Sequence, residues 1–391
     1  MSIEKQTINN LVVVSNGVTP YGVHFLKRVA AELCAYRLKT IYSYEFSMGR
    51  WSVELPDSIN ACIVGKDEDA SGKRSFFSEI CRGRELIREI KKAKPSAIMI
   101  LGYSPMSHFM VLEWCKSNSI PCLMWGDSNI KGDNNTILKR VLKQIVVNRA
   151  ISRCAALLSC GSLGAQYFKR YGAKCEQIFF VPNEPDYSLI ENIIPAIIDG
   201  IVNEFDFQPA RHRMLYSGRL VNVKRVDLLL DSFAAIADQR PDWDLVIAGS
   251  GSMEVELKIR VPDCIRNRIV WTGFIDSTER MTALYKCCDV LVLPSDYEPW
   301  ALVINEATCA GLAIISSDVV GAAAELVHDG VNGRLFRPSD KHSLIDAILD
   351  VTQEENLTKY KLSSQEILNV WRNIADPVQG LQNALIYALK K

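Results

Sequence analysis

The feature that most constrains the fold of this chain is a regular alternation of short apolar segments with longer segments of helical periodicity. β-branched residues are frequent in the short segments, which favours strands. The alternation predicts parallel sheets flanked by helices, because parallel strands need long crossover connections. The predicted strands are residues 11–14, 41–44, 61–64, 97–101, 121–125, 156–159, 214–216, 245–248, 269–271, 290–293 and 313–315.

The length of 391 residues predicts two domains, because single cores rarely grow beyond roughly 250–300 residues. Six predicted strands lie before residue 183 and five after it. Between the two groups, residues 182–213 contain four prolines and interrupt the alternation. We therefore place the first domain at residues 1–182 and begin the second at residue 183.

Charge is distributed unevenly, although the formal net charge is zero. Residues 1–182 contain 25 Lys and Arg against 15 Asp and Glu, and the remainder contains 20 against 30. Two interpretations stay open: the basic first domain binds an anionic partner such as a membrane surface, or the two domains attract each other. We expect no nucleic-acid partner.

The cysteine pattern and the hydropathy of the chain indicate the cellular compartment in which the protein is found. The twelve cysteines form no Cys-x-x-Cys pair and no zinc spacing, which is typical of reduced, buried thiols. No apolar run reaches the roughly 18–20 residues that span a bilayer, and residues 1–10 are polar and unlike a signal peptide. We expect a cytoplasmic protein, soluble or peripheral at the inner face of the membrane.

Two glutamates stand eight positions apart: Glu298, which precedes Pro299, and Glu306. Proline fits the first helical turn and disfavours helical geometry in the residue before it, so Glu298 is predicted at a helix mouth and Glu306 inside the helix. The helical rise separates the two carboxylates by roughly 12 Å. The free N–H groups between them, those of Ala301, Leu302 and Val303, attract anions. The pattern suits a nucleotide sugar, which has phosphates in its middle and hydroxyls at both ends.

The segment 295–317 resembles the Glu-x7-Glu signature of retaining glycosyltransferases of family 4. Residues 213–231 look like the strand, Gly-Arg-Leu turn, lysine and helix of that family, and residues 244–251, 269–273 and 289–295 look like its next strands. The first half matches more loosely, through Pro20-Tyr21, Gly102-Tyr103 and residues 167–182.

The resemblance implies an α/β fold of the GT-B type, with two Rossmann-like domains whose parallel sheets face each other across a cleft. The first domain is then the acceptor side, and residues 183–374 are the nucleotide-sugar-binding domain. A terminal helix at about residues 375–391 is expected to cross back to the first domain.

The resemblance also implies roles for charged residues of the second domain. Arg219 and Lys224 match cations that contact the diphosphate and stabilise the charge developing on it. Glu298 is the candidate catalytic residue that positions the hexose, and Glu306 binds ribose. Ordinary solvated surface positions are the alternative for all four. A glycosidase that uses both glutamates is disfavoured, because glycosidase carboxyls lie roughly 5–9.5 Å apart.

The same segment supplies further candidate donor-binding residues, which are Pro299, Trp300, Ala301 and Leu302. Ala301 stands where the family commonly has glycine. Its methyl group is expected to affect the selection of the donor sugar.

Three more residues are candidates on position and resemblance. Asp127 follows the predicted strand 121–125, at the strand end where α/β proteins bind ligands. It stands near a functional histidine of many family members and is a second candidate catalytic residue, with a turn or helix-cap role as the alternative. Gly17 matches a glycine loop that lets backbone approach the donor, and Phe274 is expected to lie against the base.

Cofactor and metal signals are weak. Gly249-Ser250-Gly251 lacks the third glycine of a dinucleotide loop and is better explained as a tight turn. Asp67-Glu68-Asp69 fits an Asp-x-Asp metal pattern, but its neighbours are typical of an exposed loop. We therefore expect no cofactor and no metal.

The stretch 137–153 places apolar residues on one helical face and basic residues largely elsewhere. This pattern fits an interfacial membrane helix or a core-packed helix with a wet basic side. If the helix lies on a membrane, a lipid-linked saccharide is the expected acceptor.

The expected activity is metal-independent, retaining transfer of a hexose-type sugar from a nucleotide diphosphate sugar to an acceptor hydroxyl of a saccharide or lipid-linked saccharide. Surface polysaccharide or glycolipid synthesis is the expected context. The alternatives are a nucleotide-sugar epimerase or hydrolase on the same fold and a non-catalytic nucleotide-sugar-binding subunit.

Overall fold

The computed structural model describes residues 9–44, 53–65, 75–133 and 137–390. The chain divides into two compact units, one of Met1–Asn183 with Ala375–Lys391 and one of Glu184–Ile374. The acidic triplet Asp67-Glu68-Asp69 lies outside the described residues.

The first unit contains one parallel sheet. Its strands in the described residues are β1 (Asn9–Ser15), β2 (Tyr36–Tyr42), β3 (Ala61–Ile63), β4 (Ala97–Leu101), β5 (Cys122–Gly126), β6 (Ala156–Ser159) and β7 (Ile178–Phe180). They lie in the order β3-β2-β1-β4-β5-β6-β7. The connecting helices are α1 (Pro20–Glu32), α2 (Phe76–Ala93), α3 (Met106–Ser117), α4 (Ile137–Ile151) and α5 (Ser162–Arg170).

The second unit contains another parallel sheet. Its strands are β8 (His212–Ser217), β9 (Trp243–Ala248), β10 (Ile269–Gly273), β11 (Val290–Leu293), β12 (Ala313–Ser317) and β13 (Gly333–Phe336). They lie in the order β10-β9-β8-β11-β12-β13. The helices are α6 (Tyr187–Glu191), α7 (Pro195–Glu204), α8 (Val226–Ile236), α9 (Glu254–Arg260), α10 (Thr278–Lys286), α11 (Leu302–Ala310), α12 (Ala323–Leu326), α13 (Lys341–Val351) and α14 (Glu354–Ile374).

The terminal helix α15 (Pro377–Leu389) completes the core of the first unit. Successive residues of β1 point to opposite faces of the sheet, and both faces are buried. Leu11 and Val13 pack with residues of α1 and with Leu381 of α15. Val12 and Val14 pack on the other side with residues of α2 and α3. Helices therefore cover both faces, as a buried parallel sheet requires.

The predicted α/β architecture of two Rossmann-like parallel sheets is confirmed. Two short strands, β7 and β13, were not predicted. Each forms an edge of its sheet and has three or four residues. A segment this short has too little periodicity to identify it, and its extended conformation depends on pairing with the neighbouring strand.

Replacement of Gly380 tests the packing of α15. A Cβ on Gly380 would lie 1.8 Å from the carbonyl oxygen of Phe180, a backbone atom that cannot rotate away. We expect Gly380→Ala to lower the free energy of unfolding by about 1–3 kcal/mol, measured by chemical denaturation. The control is Gly200→Ala in α7, where a Cβ meets open space and helix propensity predicts a gain of up to about 1 kcal/mol. Equal effects of the two changes would contradict this packing.

Candidate functional site

In each sheet, the loops that follow two neighbouring strands diverge at the carboxyl edge. In the second unit, β8 lies between β9 and β11, so the chain leaves β8 toward one side and β11 toward the other. Such a switch point opens a crevice where α/β proteins bind ligands. Arg219 and Lys224 follow β8, and Glu298 follows β11. The fold thus places three predicted site residues at one crevice.

Lys224 and Glu298 form an ion pair between the Lys224 Nζ and a Glu298 carboxylate oxygen. Their side chains are only 13% and 9% exposed. Ser295 Oγ donates a hydrogen bond of 3.0 Å to the same carboxylate. Asp296 N also donates to Val223 O at 2.8 Å, which joins the two loops. The sequence predicted separate roles for these two charges, whereas the structure neutralises each with the other.

Helix α11 begins at Leu302 and not at Pro299, so the predicted helix start is wrong by three residues. Glu298 instead forms a parallel bridge with Val320. Gly321 N donates to Glu298 O at 3.2 Å, and Ala322 N donates to Trp300 O at 2.8 Å. These long-range bonds keep residues 298–300 out of the helix. The first helical N–H groups are therefore those of Leu302 and Val303, two of the three that were predicted.

Trp300 is buried, and Ala301 has an unusual backbone conformation. The Trp300 side chain is 3% exposed, and its ring centroid lies 6.2 Å from that of Trp371. Any ligand contact of Trp300 would thus come from its backbone. Ala301 precedes the helix with a φ of +83°, in the left-handed region that favours glycine. This conformation explains why glycine suits the position.

Glycines allow the loops at this edge to touch through their backbones. A Cβ on Gly249 would lie 1.9 Å from Gly218 O, and one on Gly251 would lie 2.2 Å from Leu220 O. A Cβ on Gly321 would lie 2.0 Å from Pro299 O. The predicted tight turn at Gly249-Ser250-Gly251 is not seen, and the segment instead packs its backbone on the loop after β8, where Leu220 N donates a 3.0 Å hydrogen bond to Ser250 O.

Arg219 and Phe274 also lie at the carboxyl edge of the second sheet. The Arg219 side chain is exposed, while its carbonyl oxygen accepts a hydrogen bond of 2.8 Å from Tyr216 Oη. Phe274 follows β10 and is 37% exposed. The backbone at Arg219 is therefore held in place while its guanidinium stays accessible to an anion.

Glu306 lies in the second turn of α11 beside a residue that sequence analysis missed. Tyr285 Oη, from α10, donates a hydrogen bond of 2.7 Å to Glu306 Oε2. Burial raises the pKa of Glu306, and the hydrogen bond from Tyr285 opposes that rise. Tyr285 comes 21 residues earlier in the chain, and no local motif marks it. Only the packing of α10 on α11 identifies it as the residue that orients this carboxylate.

The first unit contains a pocket of about 550 Å³ at the carboxyl edge of its sheet. The loops after β1 and β4 open it, at the switch point between these neighbouring strands. Gly17 and Asp127 both line this pocket. Tyr21 and Tyr103, from the two looser matches in the first half, line it as well. The structure therefore unites four positions that the sequence pointed to separately.

Asp127 is exposed at this pocket, yet the surrounding walls remove part of its hydration. This desolvation raises the pKa of Asp127 above its usual value. The capping function nearby belongs to Asn129, whose side chain accepts a 3.1 Å hydrogen bond from Gly132 N. The helix-cap alternative for Asp127 is therefore wrong, whereas the turn alternative stays open, because the carboxylate accepts a hydrogen bond from the Asp127 backbone N–H.

Helix α4 has a buried side and an exposed side. Val147 and Ala150 are buried, whereas Val141, Ile145 and Val146 are exposed. Among the described residues, no helix combines the length and the apolar character needed to cross a bilayer. In the same part of the chain, no group of three or more His, Cys, Asp or Glu side chains is arranged to hold a metal ion.

Comparison with known proteins finds similarity to glycosyltransferases. Residues 201–364 match the sequence model of the glycosyl transferases group 1. An uncharacterized glycosyltransferase of Methanocaldococcus jannaschii is 34% identical over 263 residues, which are 60% of this chain and 66% of that protein. The lipopolysaccharide core biosynthesis mannosyltransferase LpsB of Rhizobium meliloti is 31% identical over 147 residues, 36% of this chain and 41% of LpsB. This chain spans less than two thirds of the length of the first curated relatives that it matches, 66%, 15% and 48%.

Solved structures show the same fold over nearly the whole chain. HepE of Anabaena, in complex with UDP and glucose, has a TM-score of 0.72 at 16% identity, with 96% of this chain and 97% of HepE covered. The sucrose-phosphate synthase of Thermosynechococcus elongatus has a TM-score of 0.74 at 16% identity, with 97% and 100% covered. The chain therefore has the GT-B fold.

The raised pKa of Glu306 predicts how its replacement changes stability with pH. A carboxyl group whose pKa is higher in the folded state stabilises that state below its unfolded pKa and loses this contribution as pH rises through its folded pKa. Glu306→Gln is therefore expected to unfold with a higher free energy than the wild type at pH 7.5, and the difference should shrink toward pH 4. Urea denaturation across this pH range measures it. The matched control is Glu366→Gln, at an exposed position of α14. The prediction would be contradicted if the stability of Glu306→Gln relative to the wild type were lower at pH 7.5 than at pH 4.

Proposed function

We propose that this protein transfers a hexose-type sugar from a nucleoside diphosphate sugar to a hydroxyl group of an acceptor. The observation that carries the proposal is the convergence of Arg219, the Lys224–Glu298 pair and the start of α11 at the switch point of the second unit. Cations and helix N–H groups bind phosphate oxygens, and a carboxylate accepts hydrogen bonds from sugar hydroxyls. The match of residues 201–364 to the glycosyl transferases group 1 supports the proposal independently.

The charges at the edge of the second sheet suggest how the donor binds. Arg219 and the first N–H groups of α11 bind the diphosphate, and Phe274 lies against the base. Glu306, oriented by Tyr285, accepts hydrogen bonds from ribose hydroxyls. Glu298 contacts the hexose, which frees Lys224 to approach the phosphate. A structural neighbour supports a nucleoside diphosphate as the ligand, since the Anabaena HepE structure contains UDP.

The proposed reaction retains the anomeric configuration and uses protein cations in place of a metal. The bond between the sugar C1 and the diphosphate oxygen breaks, and the acceptor oxygen bonds to C1 on the same face. The acceptor proton passes to the departing diphosphate. Arg219 and Lys224 stabilise the negative charge that develops on the leaving group, which is the step where fixed cations lower the barrier.

The acceptor is proposed to bind in the pocket of the first unit. Asp127 lines this pocket, and its raised pKa suits a carboxylate that accepts a hydrogen bond from the reacting hydroxyl. The acceptor class is a saccharide or a lipid-linked saccharide, in surface polysaccharide or glycolipid synthesis. The relative LpsB, a lipopolysaccharide core biosynthesis mannosyltransferase, supports this class.

Donor binding can be tested with a panel of nucleoside diphosphate hexoses. We expect at least one donor to raise the melting temperature, because a ligand that binds only the folded state stabilises it. Arg219→Ala and Glu306→Ala should abolish the shift, since loss of a charge-assisted contact weakens binding by roughly tenfold or more. The control is Arg266→Ala, an exposed arginine on the segment that precedes β10, at the opposite edge of the sheet. A full shift in both site variants would overturn the site assignment.

Incubation of the stabilising donor separates the alternative functions. A transferase should consume it only when an acceptor is present, and the product anomer observed by NMR tests retention. Product formed without an acceptor indicates an epimerase or hydrolase. Binding without turnover, across a broad acceptor set, indicates a non-catalytic subunit.

We further propose that α4 binds a membrane surface peripherally. Val141, Ile145 and Val146 form an exposed apolar patch on the domain that carries the excess of Lys and Arg over Asp and Glu. Apolar residues that insert into the headgroup region, together with basic surroundings, favour anionic lipids. This contact would bring the protein to lipid-linked acceptors at the inner face of the membrane.

Vesicle sedimentation tests the membrane contact. We expect the protein to sediment with vesicles that contain anionic phosphatidylglycerol and not with pure phosphatidylcholine. Combined replacement of Val141, Ile145 and Val146 by Ser should weaken binding to these vesicles by at least about tenfold, because each buried apolar side chain contributes about 1.5–3 kcal/mol. The control replaces Val255 and Ile259, exposed on α9 of the other unit, by Ser. Equal losses in both variants would contradict a role for α4.

A further inference from the structure

The pocket of the first unit has a composition that restricts its ligand. Its lining includes seven aromatic residues, which are Tyr21, Phe25, Tyr42, Tyr103, Trp125, Tyr167 and Phe168. Val13, Leu26, Met99 and Met124 add aliphatic and thioether surface. The walls are held in place, since Trp125 Nε1 donates a 2.8 Å hydrogen bond to Val181 O. A rigid, largely apolar cavity favours a ligand with an apolar body.

The charge of the pocket excludes anionic ligands. Among the described residues that line it, none is Lys, Arg or His, and Asp127 alone is charged. A phosphate or carboxylate placed here would lose its hydration and meet no cation in return. The pocket is therefore not a diphosphate site, and the part of the ligand that it holds is neutral.

Two buried polar atoms in the pocket lack a hydrogen-bond partner among the described residues. They are Tyr42 Oη and Asn16 Oδ1, and both residues line the cavity. Tyr42 is 1% exposed, and burial raises its pKa to about 12, so its hydroxyl stays protonated and can donate. The amide nitrogen of Asn16 is held by a 3.4 Å hydrogen bond to Leu101 O. Buried polar groups left unpaired are costly, so these two atoms point to a partner.

We infer that the pocket of the first unit binds a neutral acceptor group with an apolar ring and a hydroxyl that pairs with Tyr42 and Asn16. The inference rests on the proposed function, because it names the part of the saccharide or lipid-linked saccharide acceptor that enters the pocket, a substituent with an apolar ring. The ring packs against the aromatic walls, while its hydroxyl both accepts from Tyr42 Oη and donates to Asn16 Oδ1. The reacting hydroxyl of the acceptor then lies toward Asp127.

Three small alcohols that differ in one substituent test this chemistry. The probes are 4-hydroxybenzyl alcohol, benzyl alcohol and 4-carboxybenzyl alcohol, titrated against the intact protein by ligand-observed NMR. The wild type should prefer the hydroxyl probe over benzyl alcohol by roughly 3- to 10-fold, the effect of one or two neutral hydrogen bonds. The carboxylate probe should bind more weakly than both.

The variant Tyr42→Phe keeps the ring and removes only the hydroxyl. It should reduce the preference for the hydroxyl probe to less than twofold and leave benzyl alcohol unaffected. Tyr36→Phe is the matched control, because Tyr36 lies on the same strand β2 outside the pocket lining, and it should keep the full preference. If Tyr42→Phe does not fold, Asn16→Ala in the loop after β1 must lower the preference instead.

Three results would overturn the inference: no difference between the hydroxyl probe and benzyl alcohol, a preference that survives Tyr42→Phe or Asn16→Ala, or carboxylate binding as tight as the phenol. Water filling the polar end of the pocket would produce the first result. Donor titration in the same variants keeps the two proposals apart. If a donor binds and none of the three probes does, only this inference is refuted. If a probe binds and none of the donors does, only the proposed function is refuted.

Discussion

Backbone packed directly on backbone at the carboxyl edge of the second sheet is the constraint on which the candidate site depends. Gly249, Gly251 and Gly321 each occupy a position where a Cβ would overlap a carbonyl oxygen of the neighbouring loop. Because backbone atoms cannot rotate away, the loops after β8 and β9 keep fixed positions relative to one another, as do the loops after β11 and β12. The hydrogen bond from Asp296 N to Val223 O joins these two pairs of loops, and Lys224 and Glu298 form their ion pair there. Backbone contacts thus position the charges of the crevice.

The two units use the same topology for different chemistry. Each sheet opens a crevice beside the strand that comes first in its sequence, β1 in one unit and β8 in the other. The crevice of the second unit presents an accessible guanidinium and a helix start, and that of the first presents aromatic walls with a single carboxylate. A repeated architecture therefore gives the two crevices different chemistry, and the proposed function assigns a charged substrate group to one crevice and a neutral group to the other.

The sequence predicted the sheets well because buried parallel strands are continuous apolar runs. It failed where long-range contacts decide local structure. Pro299 favours a helix start, yet hydrogen bonds from residues 321 and 322 keep residues 298–300 out of helical geometry. Tyr285 and Tyr42 left no local signal, because their relevance comes from the elements that fold against them. The charged candidates could be selected from the sequence because they stand in motifs that resemble those of a known family, whereas buried tyrosines are common in any core.

The pairing of Lys224 with Glu298 has a consequence for discrimination among anions. A lysine that already has an internal counter-ion offers little attraction to free phosphate or sulfate, since such an ion would have to displace a carboxylate held additionally by Ser295. Replacement of the Glu298 carboxylate by an anion at Lys224 becomes favourable only when the ligand also donates new hydrogen bonds to that carboxylate. Under the proposed function, the paired charges therefore select a molecule that carries phosphate and sugar together over a molecule that carries either group alone.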